Sequence, residues 1–330
     1  MPIVTISRRR LSELLGAALA LPAFAASRRA AAQAPGKTMR VILPVGPGSG
    51  VDTSVRIASN ALSKALGQHV VVENLPGVGG ITGTATLVRA PADGQTIAIV
   101  SNNHVVNPSV YKNVPFDAIE DITPIAVIGA TPFVLLAHPS VAAKTVPELV
   151  ALAKARPGAL NYGSSGNGTI LHLAGEMLVS EAGIQLQHVP YKAAGQMLQD
   201  LIGGQIQLGF FAISVAATHI KSGALRGLGV ASATRAAMMP ELPTIAEQGL
   251  ANYGVEGWWA AIGPKGLPAA EVNRINAAIK AAHAAPEVRD ALVAQGNMLD
   301  VTTPEVAAQF FRSELAKYAR LVKQAGIALE

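Results

Sequence analysis

Three times along the chain a short β-branched run leads into a glycine-rich loop and then into a helical pattern. Met39–Val45 precedes Gly46-Pro47-Gly48-Ser49-Gly50, after which Val51, Val55, Ala58, Leu62 and Leu66 recur at helical spacing until Gly67. His69–Glu73 precedes Asn74-Leu75-Pro76-Gly77-Val78-Gly79-Gly80 and a helix over 81–90. Leu160–Tyr162 precedes Gly163-Ser164-Ser165-Gly166-Asn167-Gly168 and a helix over 169–182. A further strand, Thr96–Val100, ends at Ser101-Asn102-Asn103. Strands that alternate with helices in this way specify an α/β fold.

The chain has 330 residues, enough for two domains. The pattern restarts after Asn103, with strands at Ile125–Ala130 and Phe133–Ala137, a helix at Val146–Ala155, and further strands at Gln187–Val189, Leu208–Phe211 and Gly227–Val230. Helices follow over 269–284, 286–295 and 304–325. Two lobes, each a mixed sheet flanked by helices, fit this order. Their expected extents are 35–137 with 256–330 for the first and 138–255 for the second.

Half of the chain is apolar and 14% is charged, which excludes disorder. Cysteine is absent, and with it disulfides, thiol catalysis and Cys-based zinc sites. The net charge of +5 comes mainly from the first 34 residues, where Arg8, Arg9, Arg10, Arg28 and Arg29 meet one acid, Glu13. The remainder holds 21 basic and 20 acidic residues with no basic run, so a nucleic-acid footprint is excluded. Ser7-Arg8-Arg9-Arg10 followed by the apolar stretch Leu11–Ala26 has the layout of a secretory signal, and Ser-Arg-Arg-x-Leu resembles a twin-arginine one. Residues 1–34 are read as that signal, cut after Ala25 or Ala32. Arg28-Arg29 interrupt the apolar stretch too early for a membrane anchor. The mature protein is expected to be soluble and periplasmic.

A glycine loop between strand and helix directs backbone N–H groups and the helix dipole at an anion. Gly46–Gly50 and Gly163–Gly168 have this build, one in each expected lobe, and would suit the two ends of a small carboxylate. Tight turns with capping hydroxyls are the competing explanation. Enzyme motifs fail on inspection: no GxGxxG occurs, Gly168 lacks the Lys of a P-loop, and Gly163-Ser164-Ser165-Gly166 narrowly misses a nucleophile elbow. His172 and Glu176, at i and i+4, read as a hydrogen-bonded pair rather than a metal site. His188 and Tyr191 form either an acid/base pair or the rim of a packed strand. Trp258-Trp259 would stack on a ligand or pack between lobes.

The ordered segments resemble the periplasmic solute receptors of tripartite tricarboxylate transporters, the Bug family. Pro44-Val45-Gly46-Pro47-Gly48-Ser49-Gly50-Val51-Asp52 with Arg56 matches one family segment, and Val72-Glu73-Asn74-Leu75-Pro76-Gly77-Val78-Gly79-Gly80 another. Ala92-Asp93-Gly94, Asp121-Ile122-Thr123-Pro124-Ile125, Leu160-Asn161-Tyr162-Gly163-Ser164, His172-Leu173-Ala174-Gly175-Glu176, His188-Val189-Pro190-Tyr191-Lys192 and Leu242-Pro243-Thr244-Ile245-Ala246-Glu247 extend the likeness from Met39 to Gly326. The resemblance implies a Venus-flytrap fold that closes on a small organic acid and delivers it to membrane permease subunits, as a monomer without cofactor, metal or catalysis. Carried over, the ligand contacts are Gly48, Ser49 and Gly50, then Asn102 and Asn103, then Ser164, Ser165, Asn167 and Thr169. Phe211 stands where amino-acid-binding members carry an aspartate, which favours a dicarboxylate or an aromatic acid. Two rivals remain: an exported hydrolase using Ser165 with His172 or His188, and a sensor presenting its ligand state to a membrane kinase.

Overall fold

Met39, Val41, Ile42 and Leu43 are all fully enclosed, so β1 (Thr38–Leu43) is buried on both faces, the mark of a strand with parallel neighbours and helices on either side. The computed structural model describes residues 38–191 and 194–327, and the expected leader lies outside them. α1 (Gly50–Leu66) ends where Gly67 takes a left-handed φ of 62° and gives its N–H to the Lys64 carbonyl. β2 (His69–Asn74), α2 (Ile81–Val88) and β3 (Thr96–Ser101) follow close to the expected bounds.

Two expectations are corrected in the middle of the chain. The stretches Ile125–Ala130 and Phe133–Ala137 are one strand, β4 (Ile122–Ala137), which accommodates Pro124 and Pro132. Its register against its neighbour shifts between Pro124 and Ala126, beside a residue with no N–H to give, and again between Val127 and Gly129. Pro132 stays in register with Glu256 at the end of the ladder. That neighbour, β9 (Glu256–Pro264), carries the two tryptophans and lies inside the sheet. Trp258 enters the apolar cluster that holds Phe311 and Tyr318, whereas Trp259 enters the one that holds Val41 and Ile279. Period-two alternation sends adjacent indoles to opposite faces; neither lines a cleft. The sequence pattern also hid α3 (Asn103–Val110), an eight-residue helix with Pro108 inside it.

β4 serves two sheets. Through Pro132 it pairs antiparallel with β9, which pairs antiparallel with β3, which is parallel to β1; β2 lies at the edge. From Phe133 onward it pairs antiparallel with β7 (Leu208–Ala212) on one side and β8 (Arg226–Val230) on the other. β5 (Asn161–Ser164) is parallel to β7 and to β6 (Gln187–Pro190), and β10 (Met298–Leu299) pairs with β4 near Ala130. Helices α4 (Val146–Ala155), α5 (Ile170–Ala182), α6 (Ala194–Ile202) and α7 (Ile213–Lys221) belong to the second sheet. After β9 come α8 (Ala269–Ala284), α9 (Pro286–Ala294) and α10 (Pro304–Gln324), and α10 packs on α3, β4 and α5. Among the described residues no helix is long and apolar enough to cross a membrane.

α5 sits close on β5 because Gly175 offers no side chain: a Cβ there would lie 2.1 Å from Tyr162 Cε2. Gly175→Ala is therefore expected to cost about 1–3 kcal/mol through overpacking, measured by urea unfolding. Gly195→Ala on α6, where a Cβ meets nothing within 4 Å, is expected to be neutral or slightly stabilising.

Candidate functional site

The helix N-termini in this structure are completed in two ways. At α1, Ser49 caps the helix by accepting the Asp52 N–H at 3.2 Å, and Asp52 accepts the Gly48 N–H at 2.9 Å. The Asp52 carboxylate also accepts from Arg56 Nε and Asn74 Nδ2, each at 2.9 Å, while Asn74 Nδ2 reaches the Val45 carbonyl. Burial opposes ionisation of Asp52, but the Arg56, Gly48 and Asn74 donors outweigh it and hold the carboxyl at about 2. The first glycine loop thus already holds an anion of the protein's own.

α2, α3 and α5, like α7, α8 and α9, lack a side-chain cap. Gly80, Asn102 and Thr169 precede the first three. The approaches to these helices meet around a cavity of about 170 Å³, to which Gly79, Asn103 and the run Asn167–Thr169 contribute. Its apolar wall comes from Val106 and Val110 on α3, and its lining holds no Asp, Glu, Lys or Arg. Asn107 ties off one edge by donating Nδ2 to the Gly79 carbonyl at 2.8 Å. Gly168, at φ 70°, fits so tightly beneath Val110 that a Cβ would come within 3.0 Å of it. The Asn103 side chain is half-buried, lines the cavity and has no partner among the described residues. Uncapped N–H groups, neutral amides and an apolar wall can hold a carboxylate by dipoles alone.

Beneath the third glycine loop lies a stack of rings. His172 and His188 overlap with centroids 3.8 Å apart and planes within 8°, and Tyr162 lies 5.0 Å from His188. Gly168 N donates to His172 Nδ1 at 3.1 Å, and His188 Nε2 meets Ser164 Oγ at 2.6 Å. Tyr162 donates its hydroxyl to Glu176, whose Oε1 lies 3.7 Å from His172 Nε2. Burial, aided by the neighbouring His172, pushes His188 down to about 4. Burial would raise Glu176, but His172 and Tyr162 together leave it lowered.

The sequence profile of the Tripartite tricarboxylate transporter family receptor matches residues 54–327. The chain belongs to this family. Protein BugT of Bordetella pertussis is 31% identical over 298 residues, covering 90% of this chain and 91% of that one. Among solved structures, R. palustris Rpa4515 with adipate has a TM-score of 0.76 at 28% identity, covering 90% of this chain and all of that one. MatC of Rhodopseudomonas palustris with bound malate has a TM-score of 0.71 at 26% identity, covering 86% of this chain and 98% of that one. The receptor has the two-lobed α/β fold of periplasmic binding proteins and is a solute-binding protein, not an enzyme.

The structure brings Asn103, Asn167 and Thr169 of the sequence candidates to the cavity and leaves the others elsewhere. Gly48, Ser49 and Gly50 do not line it, because their loop is closed on Asp52. Asn102 is buried and turned inward, with Nδ2 on the Glu256 carbonyl and Tyr318 Oη and with Oδ1 accepting the Trp258 N–H. Phe211 is enclosed in the core opposite Val134 of β4. Ser165 bonds Thr169 Oγ1, and the serine beside a histidine is Ser164, which is fully buried and out of a substrate's reach. Among the described residues no cluster of three His, Asp or Glu could hold a metal. Val106, Asn107 and Val110 were missed with α3; the i, i+4 pairs Asn103/Asn107 and Val106/Val110 were the available signal.

The Asp52 carboxyl titrates lower in the fold than the roughly 3.9 of an unfolded chain, so its stabilisation is present above that value and lost as pH falls toward about 2. Asp52→Asn is expected to cost about 1–3 kcal/mol at neutral pH. In urea unfolding across a pH series, its difference from wild type should shrink between roughly pH 4 and pH 2.

Proposed function

We propose that the receptor captures a short aliphatic dicarboxylate between its lobes in the periplasm and delivers it to the permease of a tripartite tricarboxylate transporter. In this reading residues 35–137 with 256–330 close against 138–255, after removal of the first 34 as a signal. The observation that carries the ligand class is the uncharged cavity beside three uncapped helix starts. Such a site balances a carboxylate with dipoles and adds no ammonium-binding acid, which disfavours amino acids. Its volume of about 170 Å³ is well below the roughly 300–1,000 Å³ of drug-sized pockets, which favours a small acid. Open amides contributed from more than one loop favour a carboxylate at each end over the single carboxylate of an aromatic acid. The adipate and malate complexes of similar proteins support the same class. Asn103, Asn167 and Thr169 are the proposed contacts, with the Asn167 amide and the first turn of α5 as backbone donors.

Binding stabilises the folded state by about 2.7 kcal/mol at 100 times Kd. A thermal-shift screen should therefore respond to malate or adipate and stay flat for benzoate and glutamate. Asn103→Leu should weaken binding by about tenfold, or about 1.4 kcal/mol, with unliganded stability unchanged because the amide has no protein partner. Calorimetry on wild type and variant reads both. A flat screen, together with no carboxylate released on denaturing the purified protein, would overturn the reading. Delivery is tested separately, by loss of acid uptake in cells that keep the permease and lack the receptor.

A further inference from the structure

The third glycine loop spends its amides alternately. The Gly166 N–H goes inward to Ser164 Oγ at 3.1 Å and the Gly168 N–H goes inward to His172 Nδ1 at 3.1 Å. The Asn167 N–H between them has no partner among the described residues, and Asn167 lines the cavity. The inward bonds on either side determine which amide is left for a ligand.

A backbone N–H only donates, so His172 Nδ1 must be without a proton, and the ring hydrogen sits on Nε2, facing Glu176. Protonating Nδ1 would set two N–H groups against each other at 3.1 Å. Gly168 lies under Val110 with no room to spare, so a turned Gly168 peptide would enter the cavity. The groups that face His172 are Glu176 on its own helix, His188 from β6 and Tyr162 from β5. Tyr253 packs on the same helix by donating to the Ala174 carbonyl, and its burial keeps it neutral. No lysine or arginine pairs with Glu176 among the described residues. With rings 3.8 Å apart, two imidazolium charges in the stack would repel.

We propose that His172 is a positioning residue that couples ligand affinity to pH. With Nδ1 unprotonated it pins Gly168 inward and leaves the Asn167 amide to the acid; with Nδ1 protonated the loop loses that shape and the acid is released. This rests on the proposed ligand site. It is a role for a side chain that lines no cavity and touches no ligand.

The test uses adipate as probe and His172→Asn, whose Oδ1 can accept the Gly168 N–H but does not titrate. Comparing the two proteins by calorimetry cancels the probe's own protonation. At about pH 7.5 the Asn variant should bind within about threefold of wild type, whereas His172→Leu, with no acceptor, should lose about tenfold or more. As pH is lowered, wild type should weaken by about fivefold more than His172→Asn. Unfolding curves establish that each variant is folded. Parallel pH profiles for wild type and His172→Asn would overturn the proposal while leaving the receptor reading intact. Failure of wild type to bind adipate would count against the receptor's proposed ligand class instead. Nitrogen-15 spectra of histidine-labelled, ligand-free protein then decide the question by themselves: an Nε2–H tautomer at His172 is required, and a proton on Nδ1 at neutral pH would overturn the inference.

Discussion

The receptor's geometry depends on β4 being shared. One continuous strand gives its first part to β9 and its last to β7 and β8, so the two sheets cannot be placed independently. The loop after β3 and the loop after β5 consequently meet at one cavity, although they belong to different sheets. The register of β4 shifts twice against β9, before Pro132, and once against β8, between Leu135 and Leu136. Asn102, fixed to the Glu256 carbonyl, the Trp258 N–H and Tyr318, locks the end of β3 to the start of β9 and to α10. It is a structural brace one residue away from a cavity-lining side chain.

On that frame, electrostatics divides the helix starts. α1 carries its own carboxylate, ionised and bonded to Gly48, Arg56 and Asn74. α2, α3 and α5 carry none, and the cavity beside them has no charged side chain. Binding an anion without a fixed cation would suit the capture and release proposed for this receptor. On the proposed reading, a buried ion pair would make release costly, whereas dipoles would hold the acid only while the loops keep their shape. The ring stack under the third loop maintains that shape through hydrogen bonds whose direction depends on where one proton sits.

Much of this was legible in the residues and some was misleading. The strand–glycine loop–helix units stand where the pattern placed them, and the ordered segments identified the family. Gly48, Ser49 and Gly50 looked equivalent to the third loop because glycine spacing shows where N–H groups are available and not whether Asp52, close by, uses them. Ser165 is the serine that the hydrolase reading pairs with His172 or His188; His188 in fact meets Ser164, the residue before it. Phe211 was placed by analogy, and β7, enclosed on both faces from Leu208 to Phe211, buries it. α3 escaped notice because Pro108 interrupts its pattern, although Asn103, Val106, Asn107 and Val110 form one helical face.

Sequence alone determined the α/β class, the order of its units, the position of the glycine turns and the family, since these follow from local periodicity and from short-range backbone requirements. Tertiary structure decided which helix starts stay open, which loops share a cavity and which histidine nitrogen must be bare. Those depend on contacts such as Val110 on Gly168, Asn107 on Gly79 and His188 on Ser164. Such contacts join residues far apart in the chain, and the one between Val110 and Gly168 exists only once β4 has brought both sheets onto one strand.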